Sequence, residues 1–165
     1  MRTKFCQKDG VFEMATDIQN TLGKALNTQL SNWAVVYYKL HHFHWYVKGE
    51  LFDVLHAKFE DLYNLAAAKL DELAERMLTI GIKPVSSMKE YLASASIAEN
   101  AAEQTTASAM LENVVSDFGR MAKELLEAAD LAEDQANDIV TADLLREQAG
   151  ELQKQVWMLN ATLGK

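Results

Sequence analysis

Hydrophobic residues recur every three or four positions along most of the chain, which is the period of amphipathic α-helices. The first helix is predicted to begin near Thr16 and to end at Gly49, with an apolar stripe of Leu26, Leu30, Trp33, Tyr37, Leu40 and His44. The second is predicted to begin within 51–53 and to end at Gly81, before the single proline, with a stripe of Leu55, Phe59, Leu62, Ala66, Leu70, Leu73 and Met77. Two long helices joined by a short connection are therefore expected in the first half of the chain.

The apolar pattern weakens between Lys83 and Gln104 and then resumes in two further helices. Within the weak stretch, Ser87 and Glu90 have the spacing of a capping box, which predicts a short helix inside a long crossover. The third long helix is predicted to bury Met110, Val114, Phe118, Met121, Leu125 and Ala129, and the fourth to bury Val140, Leu144, Leu152, Val156, Leu159 and Leu163. This pattern predicts an all-α four-helix bundle with a short extra helix in the crossover between the second and third helices.

One domain is expected over 16–165, because 165 residues with 49% hydrophobic content suffice for one packed core. Residues 1–15 are expected to form a flexible arm. No apolar run is long enough to cross a bilayer, and the first residues lack the apolar segment of a signal peptide, so we expect a cytoplasmic protein without a membrane partner. Cys6 is the single cysteine and cannot form an internal disulfide, so it is assigned no role.

The formal net charge of −8 disfavours nucleic acid as a partner, since nonspecific affinity for DNA comes from basic residues that neutralise phosphates. An acidic chain attracts cations instead. Arg2, Lys4 and Lys8 make the first residues weakly basic, and many copies on one particle would add avidity. We nevertheless expect direct DNA binding to be weak or absent at physiological salt.

Two pairs of candidate metal ligands lie on the second predicted helix, along a line at the flank of its apolar stripe. His56 and Glu60 form one pair on adjacent turns, and Asp71 and Glu75 form the other. The pairs lie roughly 22 Å apart, so each is half a site. Both pairs are equidistant from a midpoint in the run 65–68, where small side chains would allow two backbones to approach closely. A second copy packed antiparallel would therefore turn two half-sites into two whole sites.

Imidazole and carboxylate ligands together suit a redox pair of iron ions, and they also suit zinc. Diiron helix bundles that complete the site within one chain use Glu-x-x-His pairs, and this sequence contains none. A site of that type is excluded, which leaves a site shared between chains. Taken singly, His44 also fits a hydrogen-bonded core histidine, and Asp71 with Glu75 also fit two surface acids.

Three segments resemble the Dps family, the bacterial mini-ferritins. They are HHFHWYVKG at 41–49, LHAKFEDLY at 55–63 and LDELAER at 70–76. The resemblance covers nearly all of the chain after about residue 20. It implies a ferritin-like four-helix bundle and a hollow homododecamer that oxidises Fe(II) and stores ferric mineral inside. The oxidant implied is preferentially hydrogen peroxide, with oxygen as the alternative, and the process protects DNA from oxidative damage.

The resemblance also implies a ligand set for two iron ions at each site between subunits. His44, His56 and Glu60 would come from one chain, and Asp71 and Glu75 from its two-fold mate. Asp71 would bridge the two ions, with Glu75 and His44 on the tighter one. His56 and Glu60 would hold the looser ion, and Glu60 stands where aspartate is common in the family. Zinc is an alternative occupant of such sites in crystals.

Two further features follow from the resemblance. Trp45 is similar to a family tryptophan that intercepts stray oxidising equivalents, with Tyr46 assisting; taken by itself, Trp45 fits an interfacial aromatic residue equally well. Asp134, Asp138 and Asp143 resemble the acidic lining of a three-fold entry pore, with Ile139 at a position that is often acidic in relatives. The same acids also fit a polar turn that favours the start of the fourth helix. Relatives that bind DNA directly tend to carry lysine-rich terminal extensions, which this sequence lacks.

Two other functions fit the same residues. The first is a nucleoid-compacting DNA-binding protein in which metal binding is incidental. The second is a structural or zinc-holding helical assembly without redox activity. Salt-resistant DNA binding that is unchanged in a His44→Ala, Asp71→Ala protein would favour the first, and the absence of peroxide-dependent Fe(II) oxidation would favour the second.

Overall fold

The computed structural model describes residues 8–99, 101–103 and 105–165. The long helices are α1 (Lys8–Tyr46), α2 (Phe52–Thr79), α4 (Ala107–Asp134) and α5 (Ile139–Thr162), and the crossover contains α3 (Met88–Ser94) and a 3-10 turn (Ala101–Glu103). No strand occurs in these residues, so the predicted all-α four-helix bundle with one short extra helix is confirmed. Within the same residues, no helix has an apolar stretch that could span a membrane.

The bundle consists of two helix hairpins packed on each other. α1 packs along α2, α4 packs along α5, and α1 also contacts α4. The short connection at 47–51 makes α1 and α2 antiparallel neighbours. Between the hairpins lies a core that contains the fully buried side chains of Trp33, Phe43, Phe59 and Phe118. Burying each such side chain contributes about 1.5–3 kcal/mol, so the core is the main source of stability.

The ends of α2 are set by two glycines in the left-handed region. Gly49 has a φ of +113° in the connection that precedes α2. Gly81 has a φ of +77° and follows the last turn of α2. Its N–H donates to the Leu78 carbonyl at 3.1 Å, and the Ile82 N–H donates to the Met77 carbonyl at 2.9 Å. This is a Schellman motif, which confirms the predicted role of Gly81 and fixes the length of the helix that carries the candidate ligands.

The long crossover between α2 and α4 is tied to the bundle by polar contacts. Ser87 and Glu90 form the predicted capping box at the start of α3. Further on, the Ser96 hydroxyl donates to the Glu124 carboxylate at 2.6 Å, and the Asn32 side-chain amide donates to the same oxygen at 3.1 Å. A crossover of this length lets α4 run in a direction that a tight hairpin would forbid.

The predicted apolar stripes are confirmed for most positions of the first three long helices. All six positions predicted for α4 are buried, and those of α1 and α2 are buried apart from the half-buried Tyr37, His44 and Leu70. The prediction for α5 was partly wrong, because Val140 is 58% exposed. The inner face of α5 instead comprises Thr141, Ala142, Leu145, Gln148, Ala149, Leu152, Gln155 and Leu159.

Buried polar residues explain this error. Gln148 is fully buried on α5, where its carbonyl oxygen accepts a hydrogen bond of 2.9 Å from the Trp33 indole. A glutamine that is satisfied in this way can occupy a core position, so the apolar pattern of α5 does not follow its buried face.

The helical backbone of α1 already begins at Lys8, earlier than the Thr16 that the periodicity indicates. Part of the arm predicted at 1–15 is therefore helical. Residues 1–7, which include Arg2, Lys4 and Cys6, lie outside the described part of the chain.

Candidate metal site

His44 near the end of α1 and His56 near the start of α2 face each other across the short connection. The Nδ1 atom of His44 lies 2.8 Å from the His56 carbonyl oxygen, and the Nδ1 atom of His56 lies 2.8 Å from the His44 carbonyl oxygen. The two imidazole rings are stacked, with centroids 3.7 Å apart and an interplanar angle of 20°. The pair is thus held by two reciprocal hydrogen bonds that also join the two helices.

These bonds determine which ring nitrogen can bind a metal ion. A carbonyl oxygen only accepts hydrogen bonds, so each neutral ring carries its proton on Nδ1. The Nε2 atom on the far edge of each ring therefore keeps its lone pair. Ligand histidines in metalloproteins are oriented by the same type of contact, in which the second nitrogen donates to a carbonyl oxygen or a carboxylate. Both histidines are half-buried, so their rings are held in place by the surrounding residues and remain accessible from solvent.

The candidate acids lie on the outer side of α2. Glu60, Asp71 and Glu75 are all exposed, and α2 runs unbroken from Phe52 to Thr79. At about 1.5 Å per residue, His56 and Asp71 are separated by roughly 22 Å along the helix. Within the described residues of one chain, no three histidine, cysteine, aspartate or glutamate side chains converge as a metal site would require. One chain therefore presents the two predicted pairs at separate ends of α2, and the complete ligand set stays a prediction.

Tyr63 is a neighbour of the histidine pair that the sequence reasoning missed. Its ring stacks on His41 with centroids 3.8 Å apart and meets the His44 ring edge-on at 5.4 Å. Burial, followed by the charge and hydrogen bonding of the Glu60 carboxylate, raises the pKa of Tyr63 above its ordinary value. The signal available in the sequence was the three-residue spacing between Glu60 and Tyr63, which places both on one side of α2.

Trp45 lies on the solvent side of the histidine pair. It is 66% exposed and contacts the edge of the His41 ring at a centroid distance of 5.5 Å. Tyr46 is 56% exposed and stacks on His42 rather than on the pair. Trp45 is therefore linked to the site through His41 and Tyr63, whereas Tyr46 points to a different neighbour.

Asp138, one of the three predicted pore acids, caps a helix. Its carboxylate accepts a hydrogen bond of 3.1 Å from the Thr141 N–H at the start of α5, and it pairs with Arg76 of α2 at 2.8 Å. Although burial opposes it, hydrogen bonding from Thr141 and the charge of Arg76 hold the pKa of Asp138 below its ordinary value. This acid therefore joins α2 to α5 within one chain.

The other two predicted pore acids lie on either side of this cap. Asp134 is exposed at the last residue of α4, and Asp143 is exposed in the first turns of α5. Asp143 lies 3.9 Å from the Arg146 guanidinium, which also pairs with Asp130 and Glu133. A pore requires several chains, so the assignment of these residues to a pore stays a prediction.

A bundle of four long helices, with a long crossover between the second and third, defines a ferritin-like protein. The family model for the ferritin-like domain matches residues 23–165. The DNA protection during starvation protein 2 of Bacillus anthracis is 47% identical over 142 residues, which cover 86% of this chain and 96% of that protein. The chain belongs to the Dps family of ferritin-like proteins, as the three sequence segments indicated.

Solved structures give the same result. A Dps protein from Bacillus brevis is 45% identical, with a TM-score of 0.85 over 89% of this chain and 97% of that chain. A Dps protein from Vibrio cholerae O1, described as a member of a broad superfamily of ferritin-like diiron-carboxylate proteins, is 34% identical. Its TM-score is 0.83 over 90% of this chain and 92% of that chain.

Proposed function

We propose that this protein is a ferroxidase and iron store that protects DNA from oxidative damage. It oxidises Fe(II), preferentially with hydrogen peroxide, at sites shared by two chains, and it stores ferric mineral inside a hollow dodecamer. The observation that carries this proposal is the reciprocal bonding of His44 and His56, which leaves both Nε2 atoms available as ligands. Membership of the Dps family and the diiron-carboxylate superfamily named for the Vibrio cholerae protein support it.

The donor set fits two iron ions as substrate. Each site would combine His44, His56 and Glu60 of one chain with Asp71 and Glu75 of its two-fold partner. The two rings are 3.7 Å apart, close to the about 3.5–4 Å that separates the metals of two-metal sites, so each ring would serve one ion. Carboxylate ligands stabilise Fe(III) more than Fe(II), because an anion attracts the higher charge more strongly.

Pairing two Fe(II) ions at one site explains the protective role. A hydrogen peroxide molecule accepts two electrons as its O–O bond breaks, and each ion supplies one of them. Two Fe(II) ions, one peroxide and two waters then give two ferric oxyhydroxide units and four protons. Because both electrons arrive at the same site, no hydroxyl radical is released, whereas a single Fe(II) ion would produce one.

The assay is Fe(II) oxidation followed by the absorbance of the ferric product, with peroxide added under anaerobic conditions. We expect His44→Ala to abolish the rapid peroxide-dependent rise in absorbance and to lower the number of Fe(II) ions bound per chain. His42→Ala is the matched control, because His42 lies in the same run but stacks on Tyr46. Wild-type protein without peroxide-dependent oxidation, or His44→Ala at the wild-type rate, would refute the proposal. Light scattering of the same sample checks for a particle of about twelve chains.

A further inference from the structure

An open cavity lies between α1 and the segment that follows α2, far from the histidine pair. It is lined by positions of α1 within 19–28, by positions within 81–85, and by Ser94, the last residue of α3. Thr28, the lining residue of α1 nearest to His44 in the chain, precedes it by roughly 24 Å of helix. The cavity volume is about 760 Å³, within the range of about 300–1,000 Å³ that is usual for small-molecule sites. The cavity therefore has room for a small ligand.

The two segments that form this cavity belong to stretches of the chain without acidic residues. Residues 18–49 and 76–89 contain no aspartate or glutamate, although the whole chain has 24 of them. The same stretches carry six basic residues, which are Lys24, Lys39, Lys48, Arg76, Lys83 and Lys89. None of the described residues that line the cavity is acidic. A concave surface with charges of one sign concentrates their field, so the cavity is locally positive in a protein of net charge −8.

Lys24 and Lys83 are the two basic residues of the lining, and both are exposed. They differ from Lys39 of the same α1 stretch, which is buried in an ion pair with Asp117 at 2.6 Å. Within the described part of the chain, neither Lys24 nor Lys83 forms an ion pair. Glu90 is near enough for its pKa to respond to Lys83, but its carboxylate is already bonded within the capping box of α3. Both cavity lysines are therefore available to an anionic ligand.

Hydrogen bonds fix the segment after α2 against α1. The Gln19 side-chain amide donates to the Ile80 carbonyl at 3.3 Å. The Asn27 side-chain amide donates to the Lys83 carbonyl at 3.3 Å, and the Asn27 side-chain oxygen accepts from the Val85 N–H at 2.8 Å. The backbone that carries Lys83 is thus held on the bundle in advance. A wall that is already ordered lowers the entropic cost of binding a ligand.

The remaining polar side chains of the lining suit an anion with several oxygen atoms. Asn20, Thr28 and Ser94 supply an amide and two hydroxyls, all of which can donate hydrogen bonds. A phosphate group has at least three acceptor oxygens and a charge of about −1.5 to −2 at pH 7, so it can engage two ammonium groups and neutral donors together. A carboxylate has one charge and two oxygens, and it would leave part of this donor set unused.

We propose that this cavity binds a phosphate group, as free inorganic phosphate or as the monoester of a small molecule, with Lys24 and Lys83 as the charged contacts. Asn20, Thr28 and Ser94 complete the set of donors. The inference goes beyond the proposed function, because it uses neither the histidine pair nor a two-fold partner.

Isothermal titration calorimetry on the assembled, iron-free protein tests the proposal at neutral pH and low ionic strength. Inorganic phosphate and glycerol 3-phosphate are the two probes, and we expect saturable binding with one site per chain. Tighter binding of glycerol 3-phosphate identifies a monoester as the ligand, and tighter binding of inorganic phosphate identifies the free ion. Lys24→Ala and Lys83→Ala should each weaken binding by about 10-fold or more, because each removes a charged hydrogen-bond donor.

A matched double variant separates the cavity from the overall charge of the protein. Lys24→Ala/Lys83→Ala and Lys48→Ala/Lys154→Ala each remove two positive charges per chain, but Lys48 and Lys154 are exposed residues outside the cavity. Only the first pair should abolish binding. Equal losses in both double variants, or no saturable binding of either probe to the wild type, would overturn the proposal.

A change of charge without a change of size gives a second test. Asn20→Asp introduces a carboxylate into the lining and should also abolish binding, whereas Asn160→Asp on α5 should leave it unchanged. Light scattering checks the assembly of each variant. Wild-type affinity in Asn20→Asp would contradict the site.

Fe(II) oxidation is measured on the same proteins in phosphate-free buffer. Lys24→Ala/Lys83→Ala should oxidise Fe(II) at the wild-type rate, because the cavity is remote from the histidine pair. An active protein that binds neither probe would overturn this inference and leave the proposed function intact. A protein that binds phosphate without oxidising Fe(II) would do the reverse.

Discussion

Two inactive variants of this chain should restore activity to each other when they share a dimer. One variant carries His44→Ala and His56→Ala and keeps its acids, and the other carries Asp71→Ala and Glu75→Ala and keeps its histidines. Neither variant can build a site alone. His56 and Asp71 are roughly 22 Å apart along α2, whereas metal–ligand bonds are about 2 Å long, so no chain can combine its own histidines with its own acids.

The size of the effect follows from counting dimers. Random mixing of equal amounts makes half of all dimers mixed. A mixed dimer contains one intact site and one site that keeps only Glu60 of the five ligands. The mixture should therefore show roughly a quarter of the wild-type rate per chain, while each parent stays at the rate without protein. The two variants are co-expressed, the assembly is purified through tags on both, and the initial rate of peroxide-dependent Fe(II) oxidation is measured.

The control mixture combines the single variants His44→Ala and His56→Ala. Both changes fall on the same half-site, so every dimer lacks one histidine at each site and no activity should return. A mixed assembly that stays at the parental rate, although mass spectrometry shows both chains in it, would refute a shared site. A parent that oxidises Fe(II) at the wild-type rate would refute it as well.

Three further outcomes are expected. Tyr63→Phe removes the hydroxyl beside Glu60 but keeps the stacked ring, so affinity for the looser iron should fall by about 10-fold or more in an anaerobic Fe(II) titration, whereas Tyr46→Phe should not change it. Asp138→Ala removes the cap of α5, so urea denaturation near pH 7 should show a loss of about 1 kcal/mol or more. Folding lowers the pKa of Asp138, so its carboxylate contributes fully to the free energy of unfolding above its ordinary pKa, near pH 4. This contribution disappears as pH falls through the lowered pKa. If Asp138→Ala lowered the free energy of unfolding equally at pH 3 and pH 7, that would contradict this reasoning. Finally, the net charge of −8 predicts no retarded band in a DNA gel shift at physiological salt, and a retarded band under those conditions would count against it.

The sequence was sufficient for the fold wherever large apolar residues occupy the core. The six positions predicted for α4, all of them buried, are methionine, valine, phenylalanine, leucine and alanine, so their helical period shows the inner face directly. The inner face of α5 includes Thr141, Gln148 and Gln155, whose burial depends on hydrogen bonds to other helices. Such bonds are tertiary, and periodicity in one segment does not contain them.

The candidate site was likewise predictable only where it depends on spacing within one helix. Spacing along α2 was enough to identify two separated pairs, because a helix converts residue number into distance and direction. The reciprocal bonds of His44 and His56 depend on how the connection at 47–51 brings the two helices together. The stack of His41 on Tyr63 also joins two helices, which is why Tyr63 could not be assigned a place beside the site.

The unbroken course of α2 has a consequence for how this family can change length. If residues are inserted between Glu60 and Asp71, the two ligand pairs move apart, but each pair stays equally far from the new midpoint of the helix segment between them. An antiparallel partner with the same insertion can therefore still pack with two-fold symmetry. Direction is the stricter condition, since one extra residue turns the acidic pair by about 100° away from the partner. Seven extra residues turn it by only about 20°. Longer members of such a lineage should therefore differ here by heptads, with their metal centres farther apart and otherwise unchanged.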